Sequence, residues 1–427
     1  MSKSGSWIPA ITLLSVATLC FGLQWGAPVR AKDKTASDPA ANAGDPPDGT
    51  PNSAVDADKE AKTTTSSPGK SGSTKVKGRP ESSKKTRKKS TAKDSAKTTR
   101  AADDDEQAPD PELVSKVMAI QDRNTAQLMS QKGVVGTATG LDDDGNVVIR
   151  VYTSGADEPQ IPAMLEGTPV QTVLTGPIHA WWADPKAGAQ AAQNPKSKFA
   201  RPVPIGVSSM ADTSFCAAAT LGCRVKDANG NVYALSCNHV YALENQGQIG
   251  VTPASQPSPL DVNCQVISAD DFGTLSKFIS IDFSGGNNTV DCAIVKTSTG
   301  LVGNSTPSDG YGTPRSSTVA ASLFQSVQKY GRTSGLTTGT VNAVNVTVVV
   351  GYDSGNATFV NQIEVAARRR SSLGQPGDSG SLVVDTQRRP VGLLFAGGGG
   401  LTFCNPIGPV LQQLGNQLGS ALTIDGN

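Results

Sequence analysis

An all-β architecture built from many short strands is what the sequence predicts for the larger part of the chain. Three observations predict it. The 427 residues include 45 glycines and 27 prolines but only 5% aromatics, a composition of turns rather than of a helical bundle. Over residues 205–418, short apolar runs alternate with Gly, Asn and Ser, and no amphipathic helical pattern separates them. That region spans some two hundred residues, enough for two small barrels, while the whole length at roughly 150 residues per domain allows two to three domains.

The chain opens with Lys3 and an apolar stretch over residues 7–23, followed by Val29-Arg30-Ala31. Positive charge, an apolar run and small residues before a cut read as a secretory signal over 1–31, so the protein is expected to be exported. The same run is close to the minimum spanning length, and an uncleaved anchor is the alternative. Leu19 before Cys20 is too bulky for a lipid attachment site.

Residues 32–110 hold no Leu, Ile, Met, Phe, Tyr or Trp, too little apolar surface to offset chain entropy, and are expected to be disordered. Their basic cluster at 84–89 precedes an acidic run at 103–106. This reads first as a solvated spacer and second as a contact for an anionic surface. Nothing in it speaks for specific nucleic-acid recognition.

Leu113, Val117, Ile120 and Leu128 fit one face of a helix over about 112–131. Strands follow at 134–139, at 146–152 across an Asp-rich turn ending in Gly145, and at 168–174. Together they predict a small α+β domain over 111–180. A Pro- and Ala-rich connector covers 181–204. Within 205–427, strands are expected at 221–225, 232–236, 293–296, 341–350, 362–366, 381–384 and 391–395.

Exclusions narrow the chemistry. Lys+Arg (38) and Asp+Glu (37) cancel, so the molecule as a whole is no polyanion binder. Two histidines, His179 and His239, exclude a multi-His metal site; no metal and no cofactor is expected. The 7 cysteines form no CxxC pair. Six remain if Cys20 leaves with the signal, which permits disulfides of unassigned connectivity. Cys237 and Cys292 are read either as disulfide-bonded or as small core residues.

The sharpest motif is Gly377-Asp378-Ser379-Gly380-Ser381. A serine between glycines sits on a tight turn whose backbone N–H groups can point at a developing oxyanion. Serine needs a base, and His239, just after a predicted strand, is preferred because His179 lies in the other folded region. Asp291, opening the apolar run 293–296, is the orienting carboxylate, with Asp282 as the substitute. No histidine follows Ser379, which excludes the α/β-hydrolase order, and the subtilisin order needs a parallel α/β fold the sequence does not offer. His, Asp, Ser, spaced 52 and 88 residues apart, is the remaining order.

With these motifs in place, residues 205–418 resemble the trypsin-like, chymotrypsin-fold serine peptidases. A narrower likeness is to bacterial trypsin-like proteins that resemble the plant narrow-leaf trypsin-like group. Its marks are Tyr233-Ala-Leu-Ser-Cys-Asn-His239, Asn288-Thr-Val-Asp291, Tyr330-Gly-Arg-Thr-Ser-Gly-Leu-Thr-Thr-Gly339 and Asn405-Pro-Ile407.

The resemblance implies a double β-barrel with Ser379 as nucleophile, His239 as general acid/base and Asp291 as its orienter. It places the N–H groups of Gly377 and Ser379 in the oxyanion hole. It also implies a cation for Asp378, either Lys329 or Arg332, with no obligatory activating cut near Ile205. Leu373 falls at the base of the specificity pocket and disfavours Lys or Arg side chains. Ala396 and Gly397 fall along the substrate strand, so small or medium apolar side chains are expected there. Phe395 stands where the family usually has a serine supporting the triad carboxylate. Arg368 to Arg370 read as a solvated loop.

The expected function is therefore an exported serine endopeptidase acting on protein or peptide. The alternative is a catalytically silent binding or adhesion module on the same fold. Oligomeric state is not readable.

Overall fold

The computed structural model describes residues 108–157, 159–183, 194–367 and 372–427. The expected signal, residues 32–107 of the expected disordered segment, part of the connector and the arginine run lie outside the described residues.

Helix α1 (Pro111–Met129) starts on Asp110, whose carboxylate accepts the Glu112 N–H, with proline in the first turn. Its face of Val117, Ile120 and Leu128 is buried as the spacing predicts, but Leu113 is 45% exposed and Val114 packs in its place. The chain then forms β1 (Val134–Leu141) and β2 (Val147–Thr153), joined by a turn in which Asp142 accepts the N–H groups of Asp144 and Asn146. Next come β3 (Met164–Leu165), β4 (Thr168–Leu174) and β5 (His179–Ala180). β4 runs parallel to β2.

The following strands are β6 (Ser208–Ala211), β7 (Ala219–Thr220), β8 (Cys223–Asp227) and β9 (Val232–Ser236). A one-turn helix α2 (Asn238–Tyr241) precedes β10 (Pro253–Ser255), β11 (Asp271–Phe278), β12 (Asn287–Asn288) and β13 (Ala293–Thr297). The C-terminal half contains β14 (Ser326–Gly331), β15 (Gly335–Tyr352), β16 (Gly355–Ala367), β17 (Leu382–Asp385), β18 (Pro390–Gly398) and β19 (Leu401–Pro406). It ends in α3 (Ile407–Leu418) and β20 (Leu422–Ile424). Helix α3 has no counterpart in the sequence reading. It buries Ile407, Val410, Leu411 and Leu414, an i, i+3, i+4, i+7 stripe.

The expected all-β fold is realised as two sheets among the described residues. An 8-stranded sheet runs β20-β8-β9-β13-β11-β10-β6-β7, and a 12-stranded sheet carries β14 to β19. The second sheet also takes in the strands of 111–180, because β1 pairs antiparallel with β15 (Gly136 with Val348, Gly140 with Ala343). One core runs from Val225 and Leu235 in the first sheet to Val348, Phe359 and Leu393 in the second. Glycine is demanded where the sheets meet: a Cβ on Gly222 would lie 2.2 Å from the Gly380 carbonyl oxygen.

Candidate active site

Register brings the first two residues together. β13 pairs with β9 antiparallel, Ala293 opposite Ser236, so Asp291, just before β13, comes beside the turn just after β9. That turn, α2, is pinned by Asn238, whose amide donates to Asn245 Oδ1 (2.8 Å) and to the Ile279 carbonyl (2.7 Å). His239 Nδ1 lies 2.5 Å from Asp291 Oδ2, and the His239 N–H donates to Asp291 Oδ1 at 3.2 Å. Both side chains are fully buried. A carboxylate on Nδ1 sets the tautomer that leaves Nε2 free to accept a proton. Nε2 has no hydrogen-bond partner among the described residues.

Asp291 is held from two further sides. Tyr352 Oη, at the end of β15, donates to Asp291 Oδ2 at 2.9 Å. Burial, and then the Asp291 charge, push the Tyr352 phenol well above its ordinary pKa, so it remains a donor. The Asp291 backbone is clasped by Asn405, whose Oδ1 accepts its N–H (3.1 Å) and whose amide donates to its carbonyl (3.2 Å). Tyr352 escaped the sequence reading; Asn405 was recognised only as part of a pattern.

Ser379 sits in a turn that depends on two left-handed glycines, Gly377 (φ +95°) and Gly380 (φ +91°). The turn is fastened to both sheets: Thr220 N–H donates to the Ser379 carbonyl (2.9 Å) and Gly380 N–H to the Leu394 carbonyl (2.8 Å). The Ser379 hydroxyl donates to the Phe395 carbonyl at 3.1 Å rather than to His239. Phe395 thus meets Ser379 through its backbone, and the hydroxyl bonded to the Asp291 carboxylate is that of Tyr352.

Asp378 is fully buried beside Ser379, and its cation is Lys329, at 3.0 Å. Its Oδ1 also accepts the N–H groups of Thr333 (2.8 Å) and Ser334 (3.2 Å). Burial lowers the Lys329 pKa and the Asp378 charge raises it, with the net shift downward. Arg332 turns instead to Asp261, its Nε 2.9 Å from the carboxylate.

Leu373 is fully buried, and Ala396 and Gly397 lie on β18 opposite Ala180 and His179 of β5. Gly377 N–H points at the carbonyl of Trp181, 3.2 Å away. The second histidine, set aside in the sequence reading, therefore lies on a strand in the cleft.

Cys216 and Cys264 form a disulfide, whereas Cys223, Cys237, Cys292 and Cys404 are free and buried. Cys237, His239 and Asp291 have donor atoms within 4.8 Å of one another, a spacing that could hold a metal. The donor set does not suit one: the Cys237 thiol donates to the Leu394 carbonyl, burial pushes its pKa well up, and the imidazole and carboxylate are bonded to each other.

No family model matches the chain, and no curated protein matches it. Among solved structures, the chain is similar to a chymotrypsin of Cellulomonas bogoriensis, at 21% identity over 53% of this chain and 99% of that one, TM-score 0.35. It is similar to Protease A of Thermobifida fusca at 20% identity over 53% and 100%, TM-score 0.36. A glutamic acid specific serine protease described as using a histidine triad in substrate binding matches at 21% identity over 52% and 100%, TM-score 0.37. Likeness at this level speaks at most to the fold; the chemistry below rests on the chain's own geometry.

Proposed function

We propose that the chain is a serine endopeptidase that hydrolyses peptide bonds through an acyl-enzyme. The observation that carries this reading is the buried His239–Asp291 couple, 2.5 Å apart, in the same cleft as a glycine-turn serine whose Gly377 N–H already meets a peptide carbonyl.

In the acylation step the Ser379 side chain turns from the Phe395 carbonyl toward His239 Nε2. The imidazole takes its proton as Oγ attacks the substrate carbonyl, and Asp291, steadied by Tyr352, stabilises the imidazolium. The N–H groups of Gly377 and Ser379 receive the oxyanion; one such donor is typically worth about 3–4 kcal/mol of transition-state stabilisation. Protonated His239 then releases the amine, and a water it activates hydrolyses the ester. The Lys329–Asp378 pair holds the Ser379 turn from below without a freed N-terminus.

Residues 205–427 make up the catalytic region in this reading, and protein or peptide is its substrate. We place it outside the cytoplasm, a location supported by the apolar stretch 7–23 and by the Cys216–Cys264 disulfide, since such bonds persist in oxidising compartments. The narrower likeness to the narrow-leaf group rests on its motifs alone.

A fluorophosphonate probe tests the reading. It should label the folded wild-type chain and leave Ser379→Ala unlabelled. A folded chain that stays unlabelled with its cleft open is the silent binding module instead.

A further inference from the structure

Residues 179–183 cross the cleft as an extended peptide; one edge of β5 pairs parallel with β15 (His179 with Gly351), and the bonds on its other side fall beside the proposed machinery. His179 and Ala180 pair antiparallel with Gly397 and Ala396. The Trp181 carbonyl accepts the Gly377 N–H at 3.2 Å, and the Trp181 N–H donates to Ser379 Oγ at 3.3 Å. Beyond the serine, Ala183 N–H donates to the Ala218 carbonyl at 2.8 Å, in an antiparallel bridge. The segment is thus held by backbone bonds on both sides of one peptide bond, Trp181–Trp182, with the carbonyl of that bond at the oxyanion donor.

The side chains agree with the backbone. The Trp181 indole packs among the cluster that contains Leu373. A Cβ on Gly397 would fall 2.0 Å from its ring atoms, and one on Gly374 would fall 3.1 Å away. Two missing side chains therefore make a slot wide enough for an indole above Leu373. This is larger than the small or medium side chain expected from the sequence. Trp182 lies on the leaving side, edge-on to the His239 ring at 5.7 Å and to Phe215 at 5.3 Å.

We propose that this segment is the enzyme's own first substrate: the chain cuts the Trp181–Trp182 bond in cis, and its pocket selects aromatic side chains on the acyl side. The proposal rests on the peptidase reading above. Ser379 Oγ bonds to the Trp181 carbonyl carbon, and the bond from that carbon to the Trp182 nitrogen breaks. His239 carries the serine proton to the departing Trp182 amine. Water then cleaves the ester, giving a Trp181 carboxylate, a free Trp182 amine and the regenerated serine.

Full-length wild type, Ser379→Ala, Trp181→Asp and Trp181→Phe are followed by denaturing intact-mass measurement and N-terminal sequencing, with fluorophosphonate labelling and a peptide library in parallel. Wild type is expected to yield a fragment beginning at Trp182, Ser379→Ala to stay whole, Trp181→Phe to cut within about threefold of wild type, and Trp181→Asp to cut at least about tenfold more slowly. The library should favour Trp, Tyr or Phe before the cut.

A labelled wild-type chain that stays whole, or is cut elsewhere, overturns this proposal and leaves the peptidase reading standing. A cut that persists in Ser379→Ala also overturns it, because another protease made it. Equal rates for Trp181→Asp and wild type overturn the aromatic selection. Absence of label and of library cleavage in both wild type and Trp181→Asp ends the peptidase reading and this one with it.

Discussion

At the scale of single residues, Tyr352 makes the sharpest prediction. It donates at 2.9 Å to the carboxylate oxygen that also holds the His239 ring. Hydrogen bonds to charged groups contribute about 1.5–3 kcal/mol, so Tyr352→Phe should lower kcat/KM roughly 10- to 100-fold. The loss should fall mostly on kcat, with KM for a peptide ester little changed, since the phenol hydroxyl bonds to Asp291; a loss confined to KM would remove Tyr352 from the support of Asp291. The reading of His239, Asp291 and Ser379 as one constellation was within reach of sequence because only two histidines exist and the order along the chain eliminates other hydrolase classes. Tyr352 was not, because it meets Asp291 across 61 residues from the tip of a hairpin, and no local pattern marks one tyrosine among six. The choice between Lys329 and Arg332 was open for a similar reason. Lys329 lies within β14 with its side chain fully buried against Asp378, whereas Arg332 lies just past the strand end and finds Asp261.

At the scale of elements, hydrophobic alternation located ten of the 20 strands among the described residues, most of them to within a few residues, but not β11, β14 or β19, and the partners came from long-range register that leaves no local mark. β4 parallel to β2 is one instance, and β1 against β15 is another. The same register places two carboxylates together in the 8-stranded sheet. Asp212 follows β6, Asp271 opens β11, and β10 pairs with both strands. Burial, and then Asp212, push the Asp271 pKa up to about 7. Asp212 Oδ2 and Asp271 Oδ1 are both buried without a conventional donor, the arrangement of a carboxylic acid sharing its proton with a carboxylate. Between the ordinary carboxylate pKa near 4 and about 7, the folded chain holds a proton that the unfolded chain has lost. Stability therefore falls as pH rises through that window and levels off above it. Asp271→Asn removes the cost of charging the pair. At pH 8 it should raise Tm by about 2–4 °C, the shift that ~1 kcal/mol gives a domain of this size once partial exposure is discounted. The gain should vanish near pH 4. A melting difference independent of pH would mean the two carboxylates do not share a proton.

At the scale of the whole molecule, the strands of 111–180 are joined to the rest by the β1–β15 pairing, by the buried Arg150–Glu364 ion pair and by the segment in the candidate active site. Composition could show that 181–204 is rich in proline and alanine, but not that its first residue, Trp181, would bond to Ser379, since that depends on where β5 leaves the sheet. The docking of α1 and β1 is anchored by Gln121, fully buried, whose amide donates to the Asn345 carbonyl (2.8 Å) and whose oxygen accepts from Thr139 (2.9 Å) and Asn345 (3.1 Å). Cutting the Trp181–Trp182 bond breaks none of these contacts. Separating the pieces would expose Ala138 and Tyr152, which share a core with Val348 and Phe403, and would pull Leu323 from the cluster under α1. The cut protein should therefore elute as one particle under native conditions and as two chains only in denaturant. Its new Trp181 terminus, tethered at an effective concentration of order millimolar, should keep competing with added peptide for the cleft. Gln121→Ala leaves buried partners unpaired, a penalty of about 1–3 kcal/mol for the docked arrangement. If docking holds the terminus in place, the cut Gln121→Ala protein should hydrolyse an added aromatic peptide about 5- to 100-fold faster than cut wild type at equal active-serine titre. Equal rates, with Trp181 still seated in the cleft, would show that the segment competes through its own contacts and that docking contributes nothing to the block.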